Sequence, residues 1–126
     1  MNILVVEDDP TSMKLVHLIL EADGHAVKSV DAPEKALASI AEEKPAVVLV
    51  DLALPGMDGL SLTRRLKADP ATSAIPVVAV TAQAMQGEDA KARAAGCDAY
   101  LTKPLDTQGF RGTLRQFLGD QGTTAT

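Results

Sequence analysis

The fold class this sequence predicts is a parallel β-sheet with helices on both faces, an α/β doubly wound arrangement. Three observations predict it. Two runs contain no polar residue, Val47-Val48-Leu49-Val50 and Val77-Val78-Ala79-Val80, which is the pattern of strands buried on both faces. Five β-type runs alternate with five helical patterns, and right-handed crossovers then force the strands parallel. Several runs also end abruptly in a polar residue, as expected where strands meet the carboxyl edge of an open sheet.

In chain order, Ile3-Leu4-Val5-Val6 is the first strand and runs into Glu7-Asp8-Asp9. Pro10 suits the first position of a helix, with Asp9 as its N-cap. That helix is expected to reach about Asp23, with Gly24 as the residue that ends it. Its core stripe is Ser12, Leu15, Val16, Ile19 and Ala22, and a second stripe of Met13, His17 and Leu20 lies on a neighbouring face. His25 to Val30 is a weak strand interrupted by Lys28 and Ser29, which suits an edge. Asp31-Ala32-Pro33-Glu34 opens a second helix with an acid cap, Ala36, Leu37 and Ile40 form its inner face, and Lys44-Pro45 ends it.

After the Val47–Asp51 strand, Asp58-Gly59 starts a third helix through about Lys67, with Leu60, Leu62 and Leu66 apolar. Asp69 to Pro76 is a loop, and Val77 to Val80 is a strand closed by Thr81. A polar, Ala-rich helix from about Gly87 to Ala95 has few apolar anchors, which marks it as a moving part. Ala99 to Lys103 is the fifth strand, halted by Pro104. Asp106 caps a last helix with Phe110, Leu114, Phe117 and Leu118. The two wholly apolar strands belong at the centre with the first, giving strand order 2-1-3-4-5.

Composition narrows the function. Hydrophobic residues at 46% and charged residues at 23% are an ordinary soluble balance in a single domain of 126 residues. A net charge of −5 disfavours a nucleic-acid surface. With no Trp, one Tyr and two Phe, base- or flavin-stacking platforms are nearly absent. The single cysteine, Cys97, reads as a small packing residue in a reducing compartment. The start lacks a cationic segment and a long apolar run, so a cytoplasmic, non-membrane protein is expected.

Four strand ends converge if the sheet is right: Glu7-Asp8-Asp9, Asp51, Thr81 and Lys103. Crowded carboxylates repel, at about 4 kcal/mol for a pair ~4 Å apart in an effective dielectric of ~20, so the cluster requires a cation. Oxygen-only donors suit a hard ion, Mg²⁺ or Mn²⁺, with Asp8 and Asp51 as direct ligands and Glu7 acting through water. Asp51 is then the candidate nucleophile for a phosphoryl group. The Lys103 ammonium and the Thr81 hydroxyl are placed to hold its equatorial oxygens.

Glu7-Asp8, Asp51, Thr81 and Lys103-Pro104, with Leu54-Pro55-Gly56-Met57-Asp58-Gly59 after the acceptor, resemble the receiver domain of two-component response regulators. Met13-Lys14-Leu15, Leu20-Glu21-Ala22 and Val78-Ala79-Val80-Thr81-Ala82 resemble single-domain regulators of the DivK type, and also receivers attached to hybrid histidine kinases. The resemblance spans Ile3 to Leu118. It implies a flavodoxin-like (βα)5 receiver domain over residues 1–118 with a flexible tail at 119–126. It also implies phosphorylation of Asp51 by a histidine kinase or histidine phosphotransfer protein, Mg²⁺ as cofactor, and slow self-catalysed hydrolysis, so that the protein is a signalling switch and not an enzyme on external substrates. The Ala53 carbonyl is implied as a metal ligand, the Lys103-Pro104 bond as cis, and Thr81 with Tyr100 as the switch pair. Ala53 and Gln83 occupy positions that tune phosphoryl lifetime in the family. The expected docking surface is the Met13, His17, Leu20 stripe with Pro104 and Leu105 beside it, and a downstream protein target receives the output.

Rival functions lack their residues. A haloacid-dehalogenase-like phosphatase needs an acid two residues after the nucleophile, where Ala53 stands. A flavodoxin-like electron carrier needs a hydroxyl-rich loop where Glu7-Asp8-Asp9 stands. There is also no phosphate-binding Gly-rich loop. A receiver that signals unphosphorylated is the remaining alternative.

Overall fold

A computed structural model describes residues 2–7, 9–52, 59–81, 88–102 and 107–114. The elements follow as β1 (Asn2–Val6), α1 (Pro10–Ala22), β2 (Ala26–Val30), α2 (Pro33–Glu42), β3 (Val47–Asp51), α3 (Gly59–Ala68), β4 (Val77–Thr81), α4 (Glu88–Ala95), β5 (Ala99–Thr102) and α5 (Thr107–Leu114). All paired strands are parallel, in the order β2-β1-β3-β4-β5. Every residue of β3 and β4 is buried, as their apolar runs require, whereas β2 and β5 form the half-exposed edges.

The alternation of side chains along the strands separates two cores. Val48, Val50, Val77 and Ala79 meet Ala36 and Ile40 of α2, Leu62 and Leu66 of α3 and Ala92 of α4. Ile3, Val5, Val47, Leu49 and Val78 meet Val16, Ile19 and Leu20 of α1 and Phe110 and Leu114 of α5. Two helices therefore cover one face and three the other. Arg111 Nε stands 3.0 Å from Asp23 Oδ2, tying α5 to the end of α1, though without the alignment of a hydrogen bond.

Local chemistry sets the helix ends. Asp9 accepts a hydrogen bond from the Thr11 N–H at 3.2 Å and Pro10 opens α1, as its sequence predicts. At the other end Gly24 takes φ +86°; its N–H donates to Glu21 O, and the His25 N–H donates to Leu20 O, a Schellman closure. The acid cap expected for α2 does not form. Ala32 holds the N-cap position with no side-chain bond, and Asp31 accepts from the Lys35 ammonium at 2.8 Å, because a cation one turn away outcompetes a backbone N–H.

Two contacts fix α3. A Cβ on Gly59 would stand 2.7 Å from Val50 Cγ1 and 3.0 Å from Asp51 O, so α3 starts directly against the end of β3. At its far end Lys67 donates to Ser73 O, Ile75 O and Asp98 Oδ2 at 3.2, 2.8 and 2.9 Å. The same Asp98 Oδ2 accepts the Val77 N–H at 2.8 Å. One carboxylate thereby joins α3, the start of β4 and the turn before β5.

Candidate phosphoryl-acceptor site

Three strands deliver polar residues to the carboxyl edge. Glu7 follows β1, and its N–H donates to Val30 O at 3.0 Å, so the chain stays paired to β2 for one residue beyond the strand. Val6 pairs with Val50, which sets Glu7 and Asp51 at the next step of neighbouring strands. Asp51 pairs in turn with Val80, and the Leu52 N–H donates to Val80 O at 3.0 Å, so Thr81 lies one residue beyond. Glu7, Asp51 and Thr81 are 4, 6 and 1% exposed. Two carboxyl groups and a hydroxyl so far from water at the end of an apolar sheet are a costly arrangement, one that requires charge partners.

The acids share a face. Glu7 continues the Ile3, Val5 alternation and Asp51 the Val47, Leu49 alternation, and both line a small recess whose other walls include Val16, Leu49, Val80 and Phe110. Glu7 Oε2 also accepts the Asp9 N–H at 3.4 Å, a long bond. Thr81 continues the opposite alternation, Val77 and Ala79. Tyr100 pairs with Ala79, two residues before Thr81 on the adjacent strand, and its half-buried ring packs on the same core. The pair expected to act together in switching thus shares one face of neighbouring strands.

Asp8, Ala53, Gln83, Lys103, Pro104 and Leu105 lie outside the described residues. Among those described, no three acidic, His or Cys side chains gather closely enough to hold a metal. A donor set built on Glu7 and Asp51 needs a further oxygen, for which Asp8 is the sequence's candidate.

The expected docking stripe is corrected in one residue. Leu20 is fully buried in the core with Val16 and Ile19, because the sheet takes the flank of α1 that carries it. Leu15, expected in the core, is 42% exposed, and Leu18 is 59% exposed; they are the large exposed hydrophobics among the described residues. Met13 is half-buried. His17 Nε2 lies 3.1 Å from Ser29 Oγ, so its flank of α1 faces the edge strand. His25, expected on the surface, is half-buried with Nδ1 lacking a hydrogen-bond partner, and burial holds its pKa below the usual 6.5.

Cys97 packs in the core with Sγ 3.6 Å from Thr63 Oγ1, and burial pushes its thiol pKa up, the state of a packing residue. Sequence reasoning missed the role of Gly59, whose lack of a side chain lets α3 brace the Asp51 backbone. The Asp-Gly pair was visible as a helix start, but the close approach was not. No helix among the described residues is long and apolar enough to cross a membrane.

Comparison with known proteins agrees with this geometry. The sequence matches the response regulator receiver domain over residues 3–115. The polar-differentiation response regulator DivK of Brucella ovis is 38% identical over 119 residues, covering 94% of this chain and 97% of DivK. Two solved structures share the fold closely. The receiver domain of a sensor histidine kinase from Pseudomonas aeruginosa PAO1, with a magnesium ion coordinated in its active site cleft, superposes with a TM-score of 0.85 at 31% identity, over 94% of this chain and 97% of that one. The BeF3-activated N-terminal receiver domain of Klebsiella pneumoniae RstA gives 0.87 at 30% identity, over 94% and 98%. With its five-stranded parallel sheet in 2-1-3-4-5 order and its acids and threonine at the carboxyl edge, the chain belongs to the response regulator receiver domain family.

Proposed function

We propose that this chain accepts a phosphoryl group on Asp51 from a histidine kinase or histidine phosphotransfer protein, in the cytoplasm, and relays the signal by changing its protein contacts. The observation that carries this reading is the burial of Asp51 at the last position of β3, beside Glu7 on one strand and level with the end of β4 on the other. In the transfer an Asp51 carboxylate oxygen bonds to phosphorus while the phosphorus–nitrogen bond of the donor breaks. The electron pair returns to the imidazole, which takes up a proton from solvent. The product is a mixed carboxylic–phosphoric anhydride.

The acidic edge fits a divalent ion by donor chemistry: Glu7 and Asp51 offer buried oxygens, and no described His or Cys side chain shares their recess. Asp8 and the Ala53 carbonyl complete the proposed set, with Glu7 acting through water. Mg²⁺ bound there supplies positive charge that offsets the carboxylates and the incoming phosphoryl oxygens. Thr81 and Lys103 hold the remaining oxygens by hydrogen bond and charge. As Thr81 turns toward the phosphoryl group, Tyr100 on the same face follows, biasing the surface of α4, β5 and α5. The reaction is the protein's own modification and its reversal, not turnover of an external substrate.

For partner docking the exposed ridge of Leu15 and Leu18 replaces the buried Leu20, with Met13 and His17 on the β2 flank; Pro104 and Leu105 stay in the proposed surface on the sequence alone. A small-molecule phosphodonor tests the acceptor directly. Incubated with acetyl phosphate and Mg²⁺, the wild type gains one phosphoryl group by intact mass, and Asp51→Asn gains none. Equal uptake by both proteins would refute the assignment.

A further inference from the structure

The sheet face that carries α2, α3 and α4 is not closed evenly. α3 packs against α4 but meets α2 at few points, and a cleft of about 600 Å³ opens between α2 and the end of α3. Its apolar floor is Leu37 and Ile40 of α2 with Leu66 of α3. Clefts of roughly 300–1,000 Å³ with apolar lining and a few polar groups are typical small-ligand sites. This one lies at the far end of α3 from the acceptor. Gly59 abuts Asp51 O, whereas Arg65 falls in the last turn of the helix.

Two cations stand over this floor. Lys44 follows α2 and Arg65 belongs to α3, and neither has an ion-pair partner among the described residues. The acids nearest them in sequence are engaged elsewhere. Glu42 pairs with Lys28 at 3.5 Å, and Glu43 lines a separate cleft with Asn2 and Lys28 on the other flank of α2. Asp69, one turn after Arg65 and the remaining charge on the rim, accepts the Ala71 N–H through Oδ1 at 2.9 Å. The Thr72 hydroxyl, also on the rim, donates to Leu66 O at 2.6 Å. In a chain of net charge −5, two unanswered cations above an apolar floor reverse the prevailing sign. Lys and Arg side chains line such walls with their hydrocarbon stems and keep their charged heads in water. A carboxylate or phosphate head is what an ammonium and a guanidinium recognise together. We infer that this cleft binds a small amphiphilic anion, its hydrocarbon over Leu37, Ile40 and Leu66 and its head between Lys44 and Arg65. This does not depend on Asp51 being the acceptor.

The experiment is a titration of the full chain with decanoate and with decyl phosphate, below the concentrations at which either forms micelles, followed by methyl resonances. The Leu37, Ile40 and Leu66 methyls shift and saturate, and the tighter of the two probes identifies the head group. Uncharged decanol binds about tenfold more weakly than that probe. Lys44→Gln combined with Arg65→Gln, at two exposed positions, weakens the anion by roughly tenfold and leaves decanol unchanged. Ala41→Glu, which sets a carboxylate on the exposed rim, weakens the anion as well. Absence of shifts with both anions overturns the inference. So does decanol binding as tightly as the anions, or anion binding that the double variant leaves intact. Occupation of the cleft by a helical peptide of Leu and Glu residues, with neither anion bound, overturns the small-ligand assignment. Concentration-dependent shifts of the same methyls without added probe do so too, in favour of a second copy of the chain.

Discussion

Asp98 offers a quantitative test of how β4, and Thr81 at its end, is held in place. Its Oδ2 accepts the Lys67 ammonium at 2.9 Å and the Val77 N–H at 2.8 Å, and its own N–H donates to Val77 O at 2.7 Å. Asp98→Ala leaves the last of these bonds intact and removes the other two. The Lys67–Asp98 pair is 21% and 37% exposed on its two sides, so solvent screening limits its contribution to roughly 0.5 kcal/mol. Lys67 also keeps its bonds to Ile75 O and Ser73 O, so the ammonium is not orphaned.

The Val77 N–H loses its partner at a buried strand start, and a hydrogen bond to a charged acceptor contributes about 1.5–3 kcal/mol. The sum is about 2–3.5 kcal/mol, a large part of the ~5–15 kcal/mol that stabilises a domain. Asp98→Asn keeps an oxygen for Val77 and loses only the charge, for about 1 kcal/mol. Urea unfolding with an unchanged denaturant slope measures both. An Ala variant within about 0.5 kcal/mol of wild type would refute the reasoning, as would an Asn variant as unstable as Ala.

Other predictions follow from single positions. At Gly112 in α5 an added Cβ meets nothing within 4 Å, so Gly112→Ala raises stability by about 0.5–1 kcal/mol, read as a higher Tm. Gly96 has φ +109° and its added Cβ would stand 2.7 Å from Lys67 Cγ, so Gly96→Ala lowers stability by at least about 1 kcal/mol. His25 protonates less readily folded than unfolded, because burial disfavours the cation. The unfolded chain therefore takes up the proton first as pH falls below 6.5, and stability declines there. His25→Gln flattens that slope in urea titrations, and an unchanged slope contradicts the assignment. Leu18→Asp slows transfer from a phosphohistidine protein by about tenfold, equivalent to ~1.4 kcal/mol, and leaves labelling by acetyl phosphate unchanged. Equal slowing of both reactions removes Leu18 from the docking surface.

The sheet was legible because its central strands carry no polar residue to confuse their period, and because an acid or hydroxyl ends them at the edge where open sheets place chemistry. Asp51, Glu7 and Thr81 follow directly from that pattern. The flank of α1 was not legible. Leu15 and Leu20 both border the apolar stripe, and only the packing of that helix beside β2, with His17 against Ser29, decides which one the sheet covers. The cap of α2 failed because Asp31 had a cation one turn away. Contacts that join distant segments also leave no local signal: Lys67 with Asp98, and Gly59 against the end of β3.

The central claim is that one buried carboxylate, made tolerable by a divalent ion, takes the phosphoryl group. Borohydride reduction of the labelled protein, which converts an aspartyl phosphate to homoserine, followed by peptide mapping, tests this most directly. The expected result is homoserine at position 51 alone, formed with Mg²⁺ and absent when the metal is chelated. Modification at another residue, or at Asp51 to the same extent without the metal, would contradict it.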